Sequence, residues 1–190
     1  MRYTIEEIST PSNLLSLIRL VMAVPLWYLF DYLGDPGMRF IIFAVCIIAA
    51  ATDILDGYLA RKYNQVTEFG KIIDPLADKV AVGAIIIKLF VIGEIPLYYF
   101  LMIILRDLLI FTGGIFVTRK LGRVLPSNVL GKVTVLNIGI VILLIVLGIS
   151  KGSMVFLSLY GLSMILMVVS FIAYIIRALE FLNRKKYESV

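Results

Sequence analysis

Six apolar stretches, each close to the length that crosses a bilayer, set what this chain can fold into. They run over about residues 14–33, 38–60, 76–93, 97–118, 130–149 and 154–178. A helix rises about 1.5 Å per residue, so roughly 20 residues span the hydrocarbon layer. Of the 190 residues, 61% are hydrophobic and 16% are charged, against about 25% charged in a soluble domain. That leaves too little polar surface to cover a water-facing globule, and far too much apolar sequence for a disordered chain. The expected fold is an all-α integral membrane domain over residues 1–190, a single domain with six transmembrane helices. Short connections make neighbouring helices antiparallel. Residues 1–12 carry Ile5 and Ile8 among Arg2, Glu6 and Glu7, which suits a short N-terminal interfacial helix. Their layout of charges does not match a cleavable signal peptide, and no internal repeat is evident.

Charge orients the bundle. One set of connections holds Arg61, Lys62 and Lys71, then Arg119, Lys120, Arg123 and Lys132, then Arg184, Lys185 and Lys186. The opposite set holds Asp31, Asp35, Arg39, Glu94 and Lys151. The positive-inside rule places both termini and the basic connections on the cytoplasmic side of a cell or inner membrane. The net charge of +5 is then accounted for by topology and by attraction to anionic membrane lipids, with no nucleic-acid partner. There is no histidine and one cysteine, Cys46. Histidine-based acid–base chemistry, His-ligated metals, an internal disulfide and Cys-cluster sites are excluded. Any metal must be held by oxygen, which selects hard cations such as Mg²⁺, Mn²⁺ or Ca²⁺.

Charged side chains at membrane depth are costly and mark functional sites. Asp53, Asp56, Gly57 and Ala60 fall at i, i+3, i+4 and i+7, on one helix face. Arg61 closes that stripe. Asp74 and Asp78, four apart, share a face of the next helix, and Pro75 suits a first helical position with Asp74 as its N-cap. The reversal between the two helices aims four carboxylates at one region. Such a cluster repels itself unless it is partly protonated or holds cations. Two-metal carboxylate sites commonly serve phosphoryl chemistry. Gly57 leaves room for a ligand to approach the backbone, and Arg61 offers a planar fork for phosphate oxygens.

These residues read Asp53-x2-Asp56-Gly57-x2-Ala60-Arg61-x8-Gly70-x3-Asp74-x3-Asp78. That is similar to the complete signature of the CDP-alcohol phosphatidyltransferase family, and the six-span layout extends the resemblance over nearly the whole chain. The resemblance implies that a CDP-linked lipid, usually CDP-diacylglycerol, is attacked by an alcohol hydroxyl with release of CMP. It implies two divalent cations, Mg²⁺ or Mn²⁺, on Asp53, Asp56, Asp74 and Asp78, with Asp78 as general base toward the acceptor. It places Gly57, Ala60, Arg61 and Gly70 on the CDP pocket, and it implies a homodimer. Gly113-Gly114 is a pair of small residues that suits close helix packing.

Further residues bear on the acceptor. Asn13, Ser16 and Arg19 are spaced by three at the start of the first span. They resemble the start of family members that use glycerol 3-phosphate, in which the Asn lies by the CDP pocket. Helix capping by Asn13 and snorkelling of Arg19 to the interface are the plain alternatives. Arg106-Asp107 in the fourth span and Gly131-Lys132 opening the fifth resemble elements near that group's acceptor pocket. A phosphorylated acceptor needs such cations, and Arg106 and Lys132 are the candidates. Adjacent helical residues point about 100° apart, so pairing of Arg106 with Asp107 is expected to be poor. Arg119 and Arg123 read as topology determinants, and Lys88 as serving span anchoring and packing. The segment 120–131 matches no single acceptor class, which keeps cardiolipin synthesis from phosphatidylglycerol and inositol-phosphate acceptors open. Prenyltransferases have tighter aspartate spacing. A small cation-binding transporter would place its acids near the midplane, often with internal symmetry.

Overall fold

The computed structural model describes residues 11–62, 70–121 and 129–188, with side chains within them except at 11–12, 15, 53–62, 70–76, 78, 118–121 and 182–188. The expected interfacial helix at the N-terminus lies outside the described residues. Those described form six α-helices and one short 3-10 turn, and no strand. They are α1 (Pro11–Leu29), the turn Phe30–Tyr32, α2 (Pro36–Lys62), α3 (Gly70–Val91), α4 (Leu97–Leu121), α5 (Val129–Val146) and α6 (Met154–Glu188). Two compact units divide them, Met1–Glu94 and Ile95–Val190.

In the first unit α1 packs most extensively on α3 and also on α2. Its continuation buries Ala23, Leu26, Phe30 and Leu33, spaced three and four apart as one helical stripe. Ile42 of α2 and Ala77, Ile86 and Leu89 of α3 are likewise buried. Asp35 begins α2 as an N-cap: its Oδ1 accepts a hydrogen bond from Gly37 N at 2.8 Å, with Pro36 at the first helical position. Gly93, with φ of 77°, ends α3. Its N–H donates to Phe90 O at 3.0 Å and Glu94 N–H donates to Leu89 O at 2.8 Å, a Schellman closure that needs the left-handed conformation. Gly93→Ala is expected to cost about 1 kcal/mol, read as a lower midpoint of thermal unfolding in detergent.

One reading of this unit needs correction and one is narrowed. Helix α3 starts at Gly70, so Asp74 and Pro75 lie inside it and Asp74 is not its N-cap. A proline this early forfeits one backbone bond, and the packing of α3 on α1 holds the helix through it. Of the two roles expected of Lys88, anchoring and packing, the structure shows packing. The side chain is buried, bonds Asp31 Oδ1 at 2.6 Å and sits 5.0 Å from the Trp27 ring centroid. A lysine in an apolar environment needs a compensating charge, and the 3-10 turn brings Asp31 to it. Asp31 is half exposed, so its own loss of partner is softened by water, whereas Lys88 has no such relief. Asp31→Ala should therefore destabilise by about 2 kcal/mol, and Asp31→Ala/Lys88→Met should recover most of that in the same unfolding assay.

In the second unit α6 packs on both α5 and α4. Helix α5 buries Thr134, Asn137, Ile138, Val141, Ile142 and Ile145, again at helical spacing. Tyr99 of α4 donates to Ser163 Oγ of α6 at 2.8 Å, and Ser163 donates onward to Tyr160 O at 2.6 Å. The Tyr99 and Tyr160 rings stack at 4.4 Å. Gly113 and Gly114 receive Tyr174 of α6: a Cβ at Gly113 would lie 3.2 Å from the Tyr174 ring. The small pair thus serves packing within the chain. Helix α6 runs ten residues past the expected 178, because the polar sequence after Arg177 keeps good helix formers.

Among the described residues, three helical segments are long and apolar enough to cross a membrane: Leu97–Val117, Val129–Val146 and Met154–Phe181. Pro36–Thr52 is a shorter apolar helix. Val129, Leu136, Met154, Phe116 and Ile165 are among many large apolar side chains left exposed on them. Contiguous apolar surface of that kind is stable only against hydrocarbon. The chain is an all-α membrane protein.

Candidate active site

The backbone places Asp53, Asp56, Gly57, Ala60 and Arg61 in the closing turns of α2, and Gly70, Asp74 and Asp78 in the opening turns of α3. Seven residues join the two helices. The helical register keeps 53, 56, 57 and 60 on one face of α2, and 74 and 78 on one face of α3. Side chains at these positions lie outside the described residues. Among the described residues no three or more metal-capable side chains stand together. Helix α1 packs on both helices that carry the motif.

Asn13, Ser16 and Arg19 are all buried, at 1%, 0% and 7% exposure. Asn13 is the third residue of α1 rather than its cap. Arg19 is packed within the protein rather than extended along its lipid-facing surface. Three polar side chains buried at one end of α1 are costly unless they are bonded or serve a ligand.

In the second unit Arg106 is buried in the middle of α4. Its Nη1 donates to Asp107 Oδ1 at 2.6 Å and its Nη2 to Ser170 Oγ of α6 at 3.2 Å. The expected poor pairing with Asp107 is corrected. Divergent Cβ directions do not limit a guanidinium on a long stem, and few other acceptors are within reach in an apolar helix. Arg106 Nη2 lies 3.4 Å from where a Cβ on Gly131 would stand. The structure thus brings the Arg106 head against the start of α5 at Gly131, and Lys132, the next residue in the chain, is exposed. Arg106 Nε is buried without a hydrogen-bond partner.

Sequence reasoning missed Ser170, Thr134 and Asn137, which are buried polar residues in the same unit. Thr134 donates to Leu130 O at 2.7 Å, with Leu166 O of α6 at 3.2 Å as the alternative acceptor. Asn137 Oδ1 is buried without a partner. Their signal was available: hydroxyl and amide side chains inside strongly apolar helices mark polar contacts between helices.

Fold and residue pattern define a polytopic membrane protein with an acidic motif on two successive helix ends. The family model described as CDP-alcohol phosphatidyltransferase matches residues 9–178. A Rickettsia bellii protein named CDP-diacylglycerol–glycerol-3-phosphate 3-phosphatidyltransferase is 36% identical over 177 residues, 92% of this chain and 95% of that protein. A Mycobacterium tuberculosis protein named probable phosphatidylglycerophosphate synthase is 33% identical over 178 residues, 92% of this chain and 84% of that protein. A Bacillus subtilis protein with the same name as the first is 46% identical over 87 residues, 46% of this chain and 45% of that protein. The chain belongs to the CDP-alcohol phosphatidyltransferase family.

Proposed function

We propose that this chain transfers the phosphatidyl group of CDP-diacylglycerol to the hydroxyl of glycerol 3-phosphate, releasing CMP and forming phosphatidylglycerophosphate. The observation that carries this reading is the relatedness, over 92% of the chain, of proteins whose names specify that donor and acceptor.

Asp53, Asp56, Asp74 and Asp78 are the residues to hold two divalent cations. Four carboxylates and no histidine form an oxygen-only donor set, which fits Mg²⁺ or Mn²⁺. Bound there, the cations supply neutralisation of the diphosphate and of the charge that develops on the departing phosphate. Asn13, Gly57, Ala60, Arg61 and Gly70 form the CDP-binding set. Gly57 and Gly70 allow close backbone approach, and Arg61 donates a fork of hydrogen bonds to phosphate oxygens. Asp78 takes the proton of the acceptor hydroxyl. The oxygen then bonds to the phosphatidyl phosphorus, the diphosphate P–O bond breaks, and its electrons leave with CMP. Arg106 and Lys132 hold the acceptor's phosphate. Arg106 is supported by the 3.4 Å approach of its head to the Gly131 position, and Lys132 by its exposure at the start of the same helix.

The same reading makes residues 1–190 one functional domain that crosses the membrane six times and acts as a homodimer. The active site and both termini face the cytoplasm. The excess of Lys and Arg on one set of connections supports that orientation.

CMP release in detergent–lipid micelles containing CDP-diacylglycerol and Mg²⁺ tests the reaction. Release that requires glycerol 3-phosphate is the expected result. Release that instead requires phosphatidylglycerol or an inositol phosphate would move the chain to another acceptor.

A further inference from the structure

Two buried serines of α6, Ser163 and Ser170, each share a hydrogen bond with α4. Ser163 Oγ is bonded to Tyr99 Oη at 2.8 Å, and Ser170 Oγ accepts from Arg106 Nη2 at 3.2 Å. Both pairs are 64 residues apart in the chain. The two helices therefore run parallel in one register, and the pairs are rungs one heptad apart, the interval at which packed helices present the same face again. Each serine also donates its own proton to the carbonyl three residues earlier: Ser163 to Tyr160 O at 2.6 Å, and Ser170 to Met167 O at 3.1 Å. A hydroxyl has one proton and two lone pairs. With that proton committed to the backbone, Ser170 turns only lone pairs toward α4, which is what a guanidinium N–H requires.

The rungs differ in what they hold. Tyr99 is a buried ring stacked on Tyr160 of α6 at 4.4 Å, so packing fixes it with or without its hydroxyl bond. Arg106 is a long flexible stem. Its other partner, Asp107, is the next residue of the same helix and is half exposed, so that bond moves with α4 and leaves the head free to pivot about Nη1. Among the described residues, Ser170 is the partner that ties the head to another helix. The same stretch of α6 also holds the start of α5, because Thr134 Oγ1 reaches Leu166 O at 3.2 Å. Helix α6 is thus the common reference for the Arg106 head and for the Gly131 position that it approaches at 3.4 Å.

We propose that Ser170 is a positioning residue for the acceptor: it holds the Arg106 guanidinium at the start of α5 in the orientation that receives the acceptor's phosphate. The inference rests on the reading that glycerol 3-phosphate is the acceptor and that Arg106 holds its phosphate. It adds a residue that acts only through Arg106. A guanidinium anchored at both Nη1 and Nη2 before the substrate arrives has less freedom to lose on binding. The effect of Ser170 therefore falls on acceptor binding and not on the CDP-linked donor.

Steady-state CMP release by the full-length protein in micelles, with each substrate varied in turn, tests this. Ser170→Ala should raise the KM for glycerol 3-phosphate by about 5- to 10-fold, the loss of one bond to a charged group. Its kcat and its KM for CDP-diacylglycerol should stay within about twofold of wild type. Ser170→Thr keeps the hydroxyl and its backbone bond and should restore most of the acceptor KM. Ser163→Ala removes an equally buried hydroxyl from the same interface and should leave that KM unchanged; a merely structural role for Ser170 would make the two alanine variants alike. Adding Ser170→Ala to Arg106→Gln should raise the KM no further than Arg106→Gln alone, because the serine has lost the group it acts through. This double variant decides the matter if threonine proves too large for the site. A wild type whose CMP release does not depend on glycerol 3-phosphate would overturn the acceptor reading and this inference with it. Dependence in the wild type, together with an unchanged KM in Ser170→Ala, an equal rise in Ser163→Ala, or multiplying effects in the double variant, would overturn the positioning role alone.

Discussion

Asp78→Asn is expected to lower turnover by about 10³-fold while CDP-diacylglycerol still binds, because general base catalysis contributes about 10²–10⁴-fold. The substitution keeps size, but it removes both the ability to take a proton and one of the four anionic groups assigned to the cations, so Mg²⁺ is kept saturating in the comparison. Asp78 lies eight residues into α3, about 12 Å along the helix from its first residue. Its neighbour Ala77 is fully buried, so this turn is fixed in the first unit's core and should keep its backbone in the variant. Equilibrium binding of CDP-diacylglycerol in micelles, measured beside CMP release, separates the two effects. Wild-type turnover in Asp78→Asn would remove Asp78 as the base. Loss of binding in step with turnover would make it a donor-site ligand instead.

Lys132→Ala should raise the KM for glycerol 3-phosphate by about 10- to 100-fold and leave that for CDP-diacylglycerol nearly unchanged. A hydrogen bond to a charged group contributes about 1.5–3 kcal/mol, and each 1.4 kcal/mol is tenfold. Lys132 is exposed near the start of α5, so its removal leaves the helix packing intact. Arg106→Gln is a sharper perturbation. It also leaves Asp107 without its 2.6 Å bond and Ser170 Oγ without its 3.2 Å donor, so reduced thermal stability should accompany the change in KM. An equal rise in both KM values for Lys132→Ala would remove it from the acceptor pocket.

The helical segments were legible because membrane crossing is a one-dimensional requirement. Length and hydropathy mark them, and the described helices fall at the expected places. The end of α2 carries Asp53, Asp56 and Arg61, and the beginning of α3 carries Asp74 and Asp78, as the spacing implied. Local rules failed where longer-range contact decides. Pro75 read as a helix start, yet packing against α1 carries α3 back to Gly70. Adjacency read as poor geometry for Arg106 and Asp107, yet a long flexible stem closes that pair at 2.6 Å. Lys88 read as an anchoring and packing residue with no partner, because nothing in α3 alone announces Asp31, 57 residues earlier in the chain.

Composition by itself determined that this chain lives in a membrane, since its apolar surface exceeds what water tolerates. Spacing by itself put the motif's acidic residues on shared helix faces, since helical periodicity turns sequence intervals into faces, and the motif's resemblance to a known signature implied the family. Only the tertiary structure decided which buried charges are matched by protein partners and which donors are left without one. Lys88 is answered by Asp31 and Arg106 by Asp107 and Ser170, while Tyr174 Oη and Arg177 Nη1 have no partner among the described residues. The physical reason is that hydrophobicity and periodicity are properties of a segment, whereas satisfaction of a buried polar group is a property of whatever the fold brings to it.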